Sequence, residues 1–154
     1  MPFVVDGTDC LEEVRTLLRE YAETLDIDLS FQAFESELAE LPGRYEPPTG
    51  RLLLALEDGE SAGCVALRKL DQETCEMKRL YVRPAFRGRR IGKALAEAAI
   101  SQARSIGYVK IYLDTLESMS EARSLYVTLG FRETHAYTYN PVPGATFMEL
   151  VLRE

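Results

Sequence analysis

Apolar positions along this 154-residue chain follow two rhythms, and their alternation orders the elements. The run FVVD at 3–6 is rich in β-branched residues and predicts a first strand. From Asp9 to about Leu25, residues Leu11, Val14, Leu17, Leu18, Tyr21 and Leu25 recur at helical spacing. Asp9 followed by Glu12 predicts a capping box at that helix's start. A second helical stretch over 31–40 ends before Pro42 and Gly43. RLLLALEDGESAGCVALRKL reads as strand, Asp58-Gly59 turn, strand, and ETCEMKRLYV (73–82) continues as a third strand. Ile91, Leu95, Ala98, Ala99 and Ala103 form one stripe of a helix over 89–106, with Gly107 as its stop. VKIYLD (109–114) is a strand. Ser118 or Ser120 then caps a helix carrying Ala122, Leu125, Tyr126 and Leu129, which Gly130 ends. FRETHAYTY (131–139) and TFMELVL (146–152) predict a closing pair of strands. The order β-α-α-β-β-β-α-β-α-β-β implies one α/β domain over 1–154, a mixed sheet with helices on its faces.

Composition narrows the class. A formal net charge of −7 argues against general nucleic-acid or membrane-surface binding, which needs a basic face. No apolar run approaches the ~18 residues of a membrane span, and the start MPFVVDGTD has no charged, apolar leader. Cys10, Cys64 and Cys75 are odd in number and lack CxxC spacing, so they read as reduced thiols of a cytoplasmic protein. With a single His, His135, no metal-ligand cluster is expected.

Against the acidic balance stands one basic segment. From Lys78 to Lys93 there are seven basic residues among 16 positions and no Asp or Glu, where even spreading gives about two. The segment runs from a strand into a helix. A helix start offers free backbone N–H groups and the positive end of the dipole, so Arg87-Gly88-Arg89-Arg90-Ile91-Gly92 suits a phosphate; a solvated basic helix start is the plainer alternative. The spacing excludes a P-loop, because three residues separate Gly88 and Gly92 and Ala94 follows Lys93. GxGxxG is absent too.

KRLYVRPAFRGRRIGKAL resembles the acetyl-CoA-binding segment of the GNAT N-acetyltransferase superfamily, whose signature is [QR]xxGx[GA] at a helix start. EARSLYVTLGF, about 30 residues on, is similar to the family's second block, AxxLYxxxGF. The resemblance covers essentially the whole chain. It implies a mostly antiparallel sheet of about six to seven strands flanked by about four helices, with acetyl-CoA as cofactor. Main-chain amides over Gly88, Arg89, Arg90, Ile91, Gly92 and Lys93 are then expected to hold the CoA pyrophosphate, with Arg87 and Gly92 at signature positions. Leu80, Tyr81 and Val82 would run beside pantetheine like an added strand, and a bulge there would aim a backbone N–H at the thioester carbonyl. Two positions depart from the pattern: Arg90 replaces the usual Gly, and Met119 replaces a common Asn.

The expected reaction is direct acetyl transfer from acetyl-CoA to a primary amine of a small molecule, amino acid, peptide or protein. Tyr126 matches the Tyr of the second block and is the candidate acid for the departing thiolate; alone it would read as a core aromatic. Deprotonating the amine at pH 7 costs about 1 kcal/mol for a pKa of ~7.8 and about 4.6 for ~10.4. Glu76 resembles the position of a family general base, or else is a surface acid paired with Lys78 or Arg79; Glu149 is a second choice. Phe31, Phe34, Tyr137 and Tyr139 are the candidate acceptor contacts, with core packing as the alternative role. Another acyl donor such as succinyl-CoA, or a non-catalytic acyl-CoA sensor, are competing readings. Neither nucleic acid nor membrane is an expected partner, and monomer and homodimer both fit.

Overall fold

The computed structural model describes residues 3–25 and 33–153. Seven strands form one sheet in the order β1-β2-β3-β4-β5-β7-β6. They are β1 (Phe3–Asp6), β2 (Arg51–Glu57), β3 (Glu60–Lys69), β4 (Thr74–Val82), β5 (Lys110–Thr115), β6 (Arg132–Thr134) and β7 (Thr146–Val151). Four helices accompany them: α1 (Leu11–Leu25), α2 (Phe34–Glu40), α3 (Ile91–Ile106) and α4 (Ser120–Thr128). The expected mixed α/β architecture and element order agree with this. Every neighbouring pair is antiparallel except β4 and β5, which α3 connects as a parallel crossover.

Alternation along β3 and β4 sorts side chains between two cores. Val65, Leu67, Cys75 and Met77 meet Ile91, Leu95, Ala99 and Ala103 of α3 on one face. Leu52, Leu54, Cys64 and Ala66 meet Val14, Leu17, Leu18 and Tyr21 of α1 on the other. Both helical stripes are the ones the 3.6-residue period predicts. Full burial of Leu17 and Leu18 contributes about 1.5–3 kcal/mol each. The β2–β3 hairpin closes through Asp58 (φ 52°) and Gly59 (φ 79°), the double positive φ of a type I′ turn.

Three local expectations are corrected. Asp9 does not cap α1. Instead, Asp6 Oδ1 accepts from Thr8 N at 2.9 Å and caps a 3-10 turn over 7–9, and Glu12 pairs with Arg15. α4 starts at Ser120 after Met119, with no side-chain cap. The strand expected over 131–139 stops at Thr134, because the following segment folds across the sheet and carries Tyr137 to the buried carboxylate of Glu76 and Asn140 to the half-buried one of Asp114. Phe31 lies outside the described residues.

Two irregularities shape the middle of the sheet. β4 and β5 pair only from Thr74 to Glu76 against Lys110 to Tyr112, and then diverge. In the same stretch the β3–β4 register slips between Cys64 and Ala66, and Arg79 opposite the slip has φ 63°. This is a bulge, and it reverses side-chain parity: Leu80 and Val82 join the α3-side core, while Tyr81 joins the α1 side. Gly63 lets the strands approach there, since a Cβ on it would stand 2.4 Å from the Tyr81 carbonyl oxygen. Gly63→Ala should therefore lower stability by about 1–3 kcal/mol in urea titration.

Candidate active site

The divergence of β4 from β5 opens a cleft through the sheet. Met77, Leu80 and Arg79 line its β4 wall and Asp114 its β5 wall, with Tyr21 from α1 and Tyr126 from α4 at its ends. Met119, just before α4, borders it as well, and Thr115 Oγ1 contacts its sulfur at 3.7 Å. Beyond Glu76 the edge of β4 has no strand partner on this side, so a linear ligand has backbone to pair with.

Past the end of β4 the chain turns into α3, whose start lies beside Val82. Gly88 (φ 81°) and Arg90 (φ 62°) both sit in the left-handed region. The usual Gly at Arg90's position thus has a conformational basis, and Arg90 adopts that geometry with its side chain in solvent. No side chain caps α3; its first intrahelical bond runs from Ala94 N to Arg90 O at 3.1 Å. The amides of Ile91, Gly92 and Lys93 are consequently available to an anion. A Cβ on Gly92 would lie 3.6 Å from Val82 Cγ2 and 3.8 Å from Leu125 Cδ2, ordinary contact distances, so the helix start packs beside the end of β4 with room for a small side chain there. Arg87, Arg89, Arg90 and Lys93 are all exposed around this turn; Arg87 Nε donates to Val82 O at 3.2 Å, and Arg89 lies over the Phe86 ring.

The basic run splits in two at this point. Lys78, Arg79 and Arg83 do not join the exposed cluster. Arg79 is buried, gives two 3.0 Å hydrogen bonds to Glu37 of α2, and stacks on Phe34 at 5.1 Å. Arg83 donates to Glu20 of α1 at 2.8 and 3.0 Å, and Tyr81 donates to the same carboxylate at 3.2 Å.

Tyr126 is buried against Phe131 and reaches the cleft. Burial first, with the neighbouring Tyr21 phenol and the Asp114 carboxylate after it, raises its pKa above the ordinary phenol value, so it stays protonated at neutral pH. Glu76 is fully enclosed. Its Oε1 accepts from Arg68 Nε at 2.6 Å, its Oε2 accepts from the Tyr137 hydroxyl, and Lys78 Nζ stands 3.7 Å away. Burial alone would push its carboxyl up, but Lys78, Arg68 and the Tyr137 hydrogen bond together hold it below the ordinary value. Asp114 has a freer carboxylate: Oδ2 accepts from Asn140 Nδ2 at 2.9 Å, and Oδ1 faces Lys78 at 4.0 Å. Burial lowers the pKa of Lys78, against the raising effect of Glu76 and Asp114.

Phe34 lies in the α1-side core, under the Arg79 guanidinium. Tyr137 packs on Tyr112 at 4.9 Å and closes the polar network from above. Tyr139 is 72% exposed at the surface. Glu149 is engaged with Lys110 at 3.2 Å, and His135 is exposed. Sequence reasoning passed over Asp114, Lys78 and the Glu37–Arg79 pair. The available signal was an acid on β5 among alternating buried residues. Among the described residues no group of His, Cys, Asp or Glu is arranged to hold a metal, and no helix is long and apolar enough to cross a membrane.

The family profile described as acetyltransferase (GNAT) family matches residues 11–131. The chain belongs to this family. As a GNAT protein it is an N-acetyltransferase, and its relatives bear that name. It is 39% identical to an uncharacterized N-acetyltransferase of Schizosaccharomyces pombe, over 91% of this chain and 87% of that one. It is 35% identical to the N-acetylaspartate synthetase of Danio rerio over 74% of this chain, which spans 41% of that protein. An N-acetyltransferase of Thermoplasma acidophilum, solved with coenzyme A, superposes with a TM-score of 0.76 at 18% identity, covering 98% and 99% of the two chains.

Because the native Glu76 carboxyl sits below its ordinary value of 4.5, the folded state binds fewer protons than the unfolded one. Its contribution is complete above pH 4.5 and is lost as pH falls through the native value. Glu76→Gln should therefore flatten the acid limb of stability below pH 4.5 in urea titrations, while weakening the fold at neutral pH.

Proposed function

We propose that this GNAT enzyme transfers the acetyl group of acetyl-CoA to a primary amine, in a ternary complex within the β4–β5 cleft. The observation that carries the reading is that β4 leads from a cleft with a strand edge without a partner and a buried protonated tyrosine to an uncapped, arginine-rich helix start that packs beside Val82. In this reading the amides of Gly88, Arg89, Arg90, Ile91, Gly92 and Lys93 hold the pyrophosphate, with Arg87 beside them. The main chain of Leu80, Tyr81 and Val82 pairs with pantetheine. The bulge at Arg79, locked by Glu37, turns backbone N–H toward the thioester oxygen and stabilises the charge that forms there.

Tyr126 presents its O–H to the departing sulfur. Glu76, the expected base, serves in our reading through its neighbours: its oxygens hold Arg68 and Tyr137, and the carboxylate that faces the cleft is Asp114. Asp114 is therefore the group we assign to receive the acceptor's amino end. Tyr137 and Asn140 close the acceptor side, with Phe34 backing Arg79. The coenzyme A complex of the Thermoplasma neighbour supports a CoA-type donor, and the name of the Danio rerio relative brings amino acids within the acceptor class. Three free cysteines, two of them buried, suit a cytoplasmic enzyme.

Acetyl-CoA should raise the melting temperature, by about 2.7 kcal/mol of linkage at 100 times Kd. Reversing charge at the helix start with Arg89→Glu and Arg90→Glu together should remove most of that rise in thermal-shift titrations, without unfolding the protein. Tyr126→Phe should keep the rise yet slow thiol release by roughly 10²-fold or more; unchanged turnover would exclude the tyrosine as the proton donor.

A further inference from the structure

The charges on the acceptor side of the cleft are unequally satisfied. Glu37 takes Arg79 through two hydrogen bonds, and Glu76 takes Arg68 through one of 2.6 Å. Lys78 has no comparable bond. Its side chain is 5% exposed, yet its ion-pair partners, Glu76 Oε2 and Asp114 Oδ1, stand at 3.7 and 4.0 Å, both longer than a hydrogen bond. Tyr137 already donates to that Glu76 oxygen, and Asn140 already donates to the other oxygen of Asp114. The ammonium carries three donors, and its open side is the cleft that Lys78 lines. Both Lys78 and Asp114 line the cleft that Tyr126 reaches. The site therefore presents one cationic and one anionic end, 4.0 Å apart, and each lacks a close partner on the cleft side.

A free α-amino acid matches this arrangement, since it carries an amino group and a carboxylate on one carbon. A simple amine offers nothing to Lys78. A peptide amino terminus offers only a neutral carbonyl. Resting on the N-acetyltransferase reading of the same cleft, we propose that Lys78 and Asp114 form an acceptor subsite for free α-amino acids. Lys78 Nζ donates to the α-carboxylate, and Asp114 takes the amino group. The acceptor's carboxylate gives the ammonium a close partner, and its amino end is held on the Asp114 side of the cleft. Lys78 is a specificity-determining residue in this arrangement, and its contribution falls on acceptor binding.

The test is thiol release from acetyl-CoA with matched sets of acceptors: an α-amino acid, its α-amide, and the amine lacking the carboxyl group. The amino acid should be preferred by at least about tenfold in kcat/KM. Lys78→Met should raise KM for the amino acid by roughly 10- to 100-fold, the worth of a charge-assisted hydrogen bond, with kcat little changed. That variant should use all three acceptors alike, and Lys78→Arg should restore part of the preference. Equal use of the three acceptors by the wild type would overturn the proposal. So would a Lys78→Met variant whose kcat falls equally for all of them at unchanged KM, because Lys78 would then act on the thioester oxygen. The wild-type panel decides even if the variant does not fold. Calorimetry of the amino acids against the coenzyme A-loaded protein separates the two readings. Binding without turnover by any amine would retain the subsite and end the transferase reading, whereas turnover of amines without amino-acid preference would do the reverse.

Discussion

One departure from regular pairing governs this molecule. β4 runs with β5 for three residue pairs and then leaves it, and at the same place it bulges away from β3 at Arg79. A regular sheet would have used every main-chain donor of β4 and kept side chains in strict alternation. Divergence frees one edge, and the bulge turns Arg79 and Tyr81 toward α1 and α2. The non-glycine residue at φ 63° costs about 1 kcal/mol or more of backbone strain. The two hydrogen bonds from its guanidinium to Glu37 and its stacking on Phe34 oppose that cost. The geometry of the cleft in this protein thus depends on a buried ion pair that joins the first family segment to Glu37, far from either motif in sequence.

Charge is divided according to depth. The exposed guanidinium groups near the start of α3 stand where a multiply charged phosphate can be screened and exchanged. The buried cations are each set against carboxylates: Arg79 with Glu37, Arg68 and Lys78 with Glu76, Lys78 with Asp114. Burying charge is tolerable only with such pairing, and the network explains why Tyr137 leaves the strand expected for it. Donating to Glu76 satisfies a buried carboxylate that solvent cannot reach. An acidic protein can therefore present a basic entrance and a nearly balanced interior.

Much of this was legible in the residues. Period-3.6 stripes gave α1 and α3 their buried faces, and Asp58-Gly59 marked the hairpin, because those elements are decided by local pattern. RGRRIG and LYVTLGF marked the turn into α3 and the helix bearing Tyr126, because both depend on short-range backbone geometry. Legibility failed where partners are distant in sequence. Glu76 looked like a surface acid or a base, since nothing near it in sequence announces Arg68 in the neighbouring strand or Tyr137 in a loop. Asp9 followed by Glu12 satisfied a capping pattern, yet Asp6 won because the chain enters α1 through a 3-10 turn. Asp114 and Lys78 became a pair only through the divergence of two strands, which no alternation pattern encodes.

The three-pair junction also divides the sheet into unequal halves. β1 to β4 form one antiparallel ladder, with hairpins joining β2, β3 and β4, while β5, β7 and β6 form a second ladder. Between them the hydrogen-bonded seam is short, and continuity comes from the α3-side core. Amide exchange should accordingly be fastest along that seam, and slow when a ligand lies across it, because the ligand supplies the missing rungs. A ligand that paired with the free edge of β4 would be a structural member of the sheet as well as a reagent, at the line where the two halves are joined by the fewest rungs.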